Sequence, residues 1–246
     1  MTEEAIPITG NDDEFLAALR QGLVLLGLKA DDTAAERCLK FAHILLEANQ
    51  TQNLTRLTSP RDMAIKHFSD SLSVLALLPE GTDTLVDVGS GAGFPGMALA
   101  IFAPQMEVTL MDATAKKVKF LEEAAQLLEM DNLKTLTGRS EDLARDPKWR
   151  ESFDCAVWRG LGSLKLSAEV CMPLVKPGGL GIAMKGPKLS EELAEAKALI
   201  GQLGASVGRQ IPVSLPDDLR HYLLPLRKIS PTPPGFPRDW AKIKKG

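Results

Sequence analysis

The segment Leu85-Val-Asp-Val-Gly-Ser-Gly-Ala-Gly-Phe-Pro-Gly96 constrains this chain more than any other part of it. A short apolar run that ends in closely spaced glycines reads as a buried strand breaking into a sharp turn. Glycine takes left-handed backbone freely and lets the main chain come close to a ligand. Pro95 stands where a helix should begin. In an open parallel sheet, ligands lie beyond the carboxyl ends of the strands, at the point where strand order reverses. The segment therefore predicts a βαβ unit with a nucleotide-like ligand over its first strand. A glycine loop of this kind can also be no more than a tight turn.

The rest of the chain repeats the alternation. Val108–Asp112, Leu133–Thr137, Phe153–Trp158 and Leu180–Met184 read as further strands, with helical patterns between them, including Leu164–Leu174 and Ser190–Leu203. Alternating strands and helices predict a mainly parallel sheet. Two later extended stretches, Val207–Val213 and Arg220–Ile229, are expected to pair antiparallel at the sheet edge. Before the first strand, Phe15, Leu16, Leu19, Leu23 and Leu26 recur at helical spacing. So do Leu39, Phe41, Ile44, Leu45 and Leu46. A third pattern starts at Ser59-Pro60, where the hydroxyl can cap and proline suits the first turn. The expected organisation is a flexible acidic leader (1–12), a helical N-terminal extension (13–79), a ligand-binding α/β domain (80–230) and a basic, Pro-rich tail (231–246).

Composition excludes some classes. With 44% apolar and 25% charged residues in 246, the chain is an ordinary globular one. No apolar run reaches the roughly 18 residues that span a bilayer. The acidic start lacks the features of a signal peptide. Cys38, Cys155 and Cys171 form neither a metal signature nor a disulfide framework, so a cytoplasmic location is expected. Net charge is only −3, but Arg220, Arg227, Lys228, Arg238, Lys242, Lys244 and Lys245 face Asp239 alone at the end of the chain. Such asymmetry fits a local footprint for a polyanion, or a solvated basic tail.

The second strand ends in Asp112, a position from which a carboxylate can accept hydrogen bonds from ribose hydroxyls. That suits NAD and S-adenosylmethionine equally. Asp87, just before the glycines, favours the latter, because it can neutralise a ligand cation and would repel a pyrophosphate; Asp87 and Asp112 can each also be read as structural caps. Lys176-Pro177-Gly178-Gly179, ahead of the fifth strand, fits the same choice, although alone it reads as an ordinary turn.

Taken together, Asn53-Leu54-Thr55, His67-Phe-Ser-Asp70-Ser71-Leu72, Asp87–Gly96, Lys117-Val-Lys119-Phe-Leu121, Arg139-Ser140-Glu141-Asp142, Arg159 with Ser163-Leu164, and Met184-Lys185-Gly186 resemble the RsmG family, also called glucose-inhibited division protein B. The likeness covers roughly residues 45–230. It implies a class I methyltransferase (Rossmann-like) fold with a mainly parallel seven-stranded sheet and helices on both faces. It also implies methylation of N7 of a guanine in 16S (small-subunit) ribosomal RNA, with S-adenosyl-L-methionine as methyl donor. The family's cofactor residues map onto Gly89, Phe94, Ser140, Glu141 and Arg159, with Asp112 at the ribose; Asp87 and Gly91 join them from the loop itself. Two departures stand out. Arg159 is followed by Gly160 where the family commonly has alanine, and the tail reads Pro237-Arg238-Asp-Trp-Ala-Lys-Ile-Lys-Lys instead of a tighter basic pattern.

Guanine N7 is an in-plane lone pair and needs no deprotonation. The chain lacks the Asn/Asp-Pro-Pro-Tyr/Phe of amino-group methylation and the Pro-Cys nucleophile of pyrimidine methylation. Cys155 and Cys171 read as buried small apolar residues. Arg159 is expected to orient guanine or cofactor. Arg56, His67, Lys185, Arg238, Lys242, Lys244 and Lys245 are candidate RNA contacts. His67 reads more readily as a packing residue, and Lys185 equally as a structural lysine. No metal site is proposed, and a monomer is the default. A methyltransferase for another RNA or a small molecule, an NAD-dependent dehydrogenase and a non-catalytic RNA-binding factor are the alternatives.

Overall fold

The computed structural model describes residues 12–29, 31–217 and 220–245. The expected leader, apart from Asp12, lies outside them. Eight strands among the described residues form one sheet in the order β3-β2-β1-β4-β5-β8-β6, with β7 also on β8. Strands β1 (Thr84–Val88), β2 (Glu107–Asp112), β3 (Leu133–Thr137), β4 (Phe153–Arg159) and β5 (Val175–Lys185) run parallel. Strand β8 (Arg220–Lys228) lies antiparallel to β5. Strands β6 (Ala205–Val207) and β7 (Ile211–Ser214) both lie antiparallel along its other edge. The seventh sheet position is thus filled by one edge strand broken at 208–210.

One expectation needs correction: β5 begins at Val175. The register jumps from Phe153↔Val175 to Cys155↔Leu180, so Lys176–Gly179 is a bulge within the strand rather than a turn before it.

The period of two along each strand divides the core. Leu85, Cys155, Val157, Ile182 and Leu223 pack on one face with the N-terminal helices. Val86, Val88, Ala156, Trp158, Leu224 and Leu226 pack on the other, with α8 (Leu164–Cys171) and α9 (Leu189–Gln202). The three cysteines are buried, as expected for Cys155 and Cys171, and burial pushes their thiols up.

The N-terminal face is built from α1 (Asp12–Leu25), α2 (Asp32–Gln52) and a continuous helical run from Pro60. In that run a turn of α-helix, α3 (Pro60–Asp62), is capped by Ser59, whose Oγ accepts from the Asp62 N–H (3.2 Å). It widens into π-helix over Met63–Ser69, passes through α4 (Asp70–Leu72) and tightens to a 3-10 turn over Ser73–Leu77. Among the described residues no helix is long and apolar enough to cross a membrane.

Candidate cofactor and substrate site

Strand order reverses between β1 and β4, where β1 opens into the glycine loop and α5 (Gly96–Phe102). Gly89, Gly91 and Gly93 have φ of 76°, 58° and 102°, a run that side-chain-bearing residues resist. Asp87 is fully buried, and its Oδ2 accepts from the Gly96 N–H (2.8 Å). A Cβ on Gly96 would lie 2.2 Å from Leu110 and 2.8 Å from the Asp87 Cβ, so only glycine lets α5 start against that carboxylate. Oδ1 of Asp87 has no hydrogen-bond partner. Burial pushes this carboxyl up to about 7, against the hydrogen bond from Gly96 and the field of Arg159.

Asp112 ends β2, ahead of α6 (Ala115–Leu127), and closes the loop from the second strand. Its Oδ2 accepts from Gly91 N–H (3.0 Å) and its Oδ1 from Thr114 N–H (2.8 Å). Beside it opens a cleft of about 290 Å³ lined by Gly89, Asp112, Ser140, Glu141 and, on the far wall, Leu161 and Val170. Ser140 and Glu141 begin α7 (Ser140–Leu143), and the Glu141 carboxylate is held by Arg139 Nε at 2.5 Å.

Arg159 ends β4 on the same sheet face as Asp87. Its Nη1 donates to Asp70 Oδ2 (2.5 Å) and to the Lys66 carbonyl (3.0 Å). Its guanidinium carbon lies 5.9 Å from the Phe94 ring centroid. His67 stacks flat on Phe94, at 4.4 Å and 4°, with Nδ1 3.4 Å from Arg159 and Nε2 2.8 Å from the Thr55 hydroxyl. Burial, and then Arg159, lower its pKa to about 3, so this ring is neutral at physiological pH. Asp70 Oδ1 lies 2.8 Å from His221 Nδ1. Burial opposes ionisation of Asp70, but His221 and Arg159 outweigh it and hold the carboxyl below its usual range.

The cofactor positions read from the sequence therefore converge on one crevice: Asp87, Gly89, Gly91, Phe94 and Arg159 at the switch point, and Asp112, Ser140 and Glu141 around the cleft. The RNA positions divide. His67 lies against Arg159 and Phe94. Arg56, Lys242, Lys244 and Lys245 are exposed. Lys185 Nζ is held by the Gly162 carbonyl and Glu192, both at 2.6 Å, and Arg238 by the buried Glu169 at 2.7 Å, so both charges are compensated inside the protein. The tail is not extended to its end, because α10 (Trp240–Ile243) forms and Ile243 is buried. Trp240, which reads from the sequence as a surface anchor with base stacking as the alternative, lines the cleft, and Asp70, which pairs with Arg159, is not among the site residues read from the sequence. Asp70 was visible in the His67–Leu72 stretch, but nothing local paired it with Arg159. Among the described residues no group of three or more His, Cys, Asp or Glu side chains could hold a metal ion.

The family model described as rRNA small subunit methyltransferase G matches residues 34–213. Proteins named ribosomal RNA small subunit methyltransferase G are similar along most of their length. The one from Alkaliphilus oremlandii is 40% identical, covering 94% of this chain and 98% of its own. The one from Clostridium tetani is 36% identical, covering 89% and 93%. Among solved structures, a SAM-dependent methyltransferase from Aquifex aeolicus superposes with a TM-score of 0.53 at 20% identity, covering 72% of this chain and 97% of that one. A branched-chain polyamine synthase from Thermus thermophilus gives 0.54 at 15%, covering 77% and 64%. At such identities the likeness speaks for the α/β fold alone.

Proposed function

The chain belongs to the rRNA small subunit methyltransferase G family, and from that membership we propose that it transfers the methyl group of S-adenosylmethionine to N7 of a guanine in 16S ribosomal RNA. One observation supports this most: a cleft suited to an adenosine-bearing cation meets, across a single switch point, a cluster of Arg159, His67 and Phe94 suited to a planar base. The donor fits the residues present. Asp87 offers a buried carboxylate oxygen with no partner, the glycine loop leaves the backbone open, and Asp112 borders the cleft where a ribose would lie.

S-adenosylmethionine supplies an electrophilic methyl group on a sulfonium when bound. Arg159, fixed by Asp70 and the Lys66 carbonyl, orients the guanine or the donor's carboxylate. His67 stays neutral and holds its face against Phe94, so it acts through shape rather than proton transfer. Guanine N7 presents an in-plane lone pair that needs no general base, so these residues would only have to align it with the methyl group that the donor would supply. Alignment then carries the catalysis, on the order of 7 kcal/mol or more for well-oriented groups. The guanine is expected to be unpaired, since RNA bases are read best outside a helix. The exposed Arg56, Lys242, Lys244 and Lys245 are the proposed phosphate contacts. Arg238 and Lys185 serve the protein's own structure, a monomer at work in the cytoplasm.

Methyl transfer from labelled S-adenosylmethionine to small ribosomal subunits tests the reading. Wild-type protein should label 16S RNA, and Arg159→Ala should lower turnover by at least tenfold. Label in metabolites or protein but not RNA would refute it.

A further inference from the structure

The C-terminal tail crosses back over the sheet and reaches the cofactor cleft. Arg150 Nη1 and Nη2 donate to the carbonyls of Phe236 (2.8 Å), Thr232 (2.7 Å) and Pro233 (3.2 Å). Arg145 reaches the Pro237 carbonyl (3.1 Å) and Asp239 (3.0 Å). Arg238 gives its backbone N–H and its guanidinium to Glu169, whose carboxylate is fully buried. These tethers converge on the start of α10 and bring Trp240 into the lining of the cleft, beside Gly138, Arg139, Ser140 and Glu141. The Arg139 guanidinium lies 4.4 Å from the indole centroid and also holds Glu141. Lys244 Nζ lies 5.9 Å from the same ring.

We propose that Trp240 is a cofactor-binding residue, the aromatic wall of the adenine end of the cleft. This rests on the reading of that cleft as the S-adenosylmethionine site. The position follows from the cleft's polarity. Asp112 marks the ribose, so the base extends away from the glycine loop toward Gly138–Glu141, where Trp240 stands. A purine has two broad faces and gains from contact with an aromatic ring. Leu161, Leu166 and Val170 supply the aliphatic wall, and the tail supplies the aromatic one.

The experiment uses the full chain and S-adenosylhomocysteine as probe. In titration calorimetry, Trp240→Ala should weaken binding about tenfold and weaken adenosine binding by a similar factor, while Trp240→Phe stays within about threefold of wild type. With 5-fluorotryptophan incorporated, the resonance missing from Trp240→Phe should shift when the wild type is saturated. Binding of Trp240→Ala within twofold of wild type, or an unmoved resonance at saturation, overturns the proposal. Failure of the wild type to bind the probe at all would instead overturn the cofactor reading on which it rests.

Discussion

Asp87 ties the glycine loop to the start of α5 through the Gly96 N–H and keeps its other oxygen without a partner. Its carboxyl is fully buried and pushed up to about 7, so in the free protein it is protonated below that pH and ionised above it. A bound cation favours the carboxylate, so binding should release a proton. Affinity for S-adenosylmethionine should fall as pH drops below about 7, approaching tenfold per unit, and Asp87→Asn should flatten the profile. Calorimetry across pH checks it, and identical profiles for the two proteins would show that Asp87 does not face the cation. The loop residues and Asp112 were readable in the sequence because they lie at the ends of adjacent strands, where local pattern dictates position. Asp70 was not, since its partner Arg159 is 89 residues away and only the folded sheet brings them together.

Among elements, strands and long helices followed from their periodicity, while irregular ones did not. The π-helical stretch Met63–Ser69 presents the Lys66 carbonyl and His67 to Arg159, and no side-chain period encodes that widening. Prolines at 231, 233, 234 and 237 predict an extended tail, yet α10 docks, because the partners that hold it, Arg145, Arg150 and Glu169, lie far upstream. Of these, Glu169 is the most costly to abandon. Arg238→Ala would leave a buried carboxylate with one backbone donor, and we expect a loss of about 2 kcal/mol, below the full cost of breaking a wholly buried pair because Arg238 is partly exposed. Urea unfolding measures it, and a change under about 0.5 kcal/mol, the scale of an ordinary surface substitution, would mean the tether does not hold the tail.

At the scale of the molecule, the sheet divides the work. Its N-terminal helical face carries Phe94, His67, Asp70 and Arg159, and its other face carries α8, α9 and the docked tail. On the proposed reading, the cofactor crevice runs between them at the β1/β4 switch point, bordered by Asp87 and Asp112. Net charge is slightly negative, so the proposed attraction to RNA would have to come from local groups such as the exposed Lys242, Lys244 and Lys245, and binding should then weaken with salt. The chemistry of the base rests on family membership and on Arg159 and its neighbours rather than on the glycine loop, which speaks only for the donor. Mapping N7-methylguanosine in small-subunit ribosomal RNA, from cells with and without this protein, tests that division most directly. One 16S guanine should carry the N7 methyl group only when the protein is present, and an unchanged map would contradict the account.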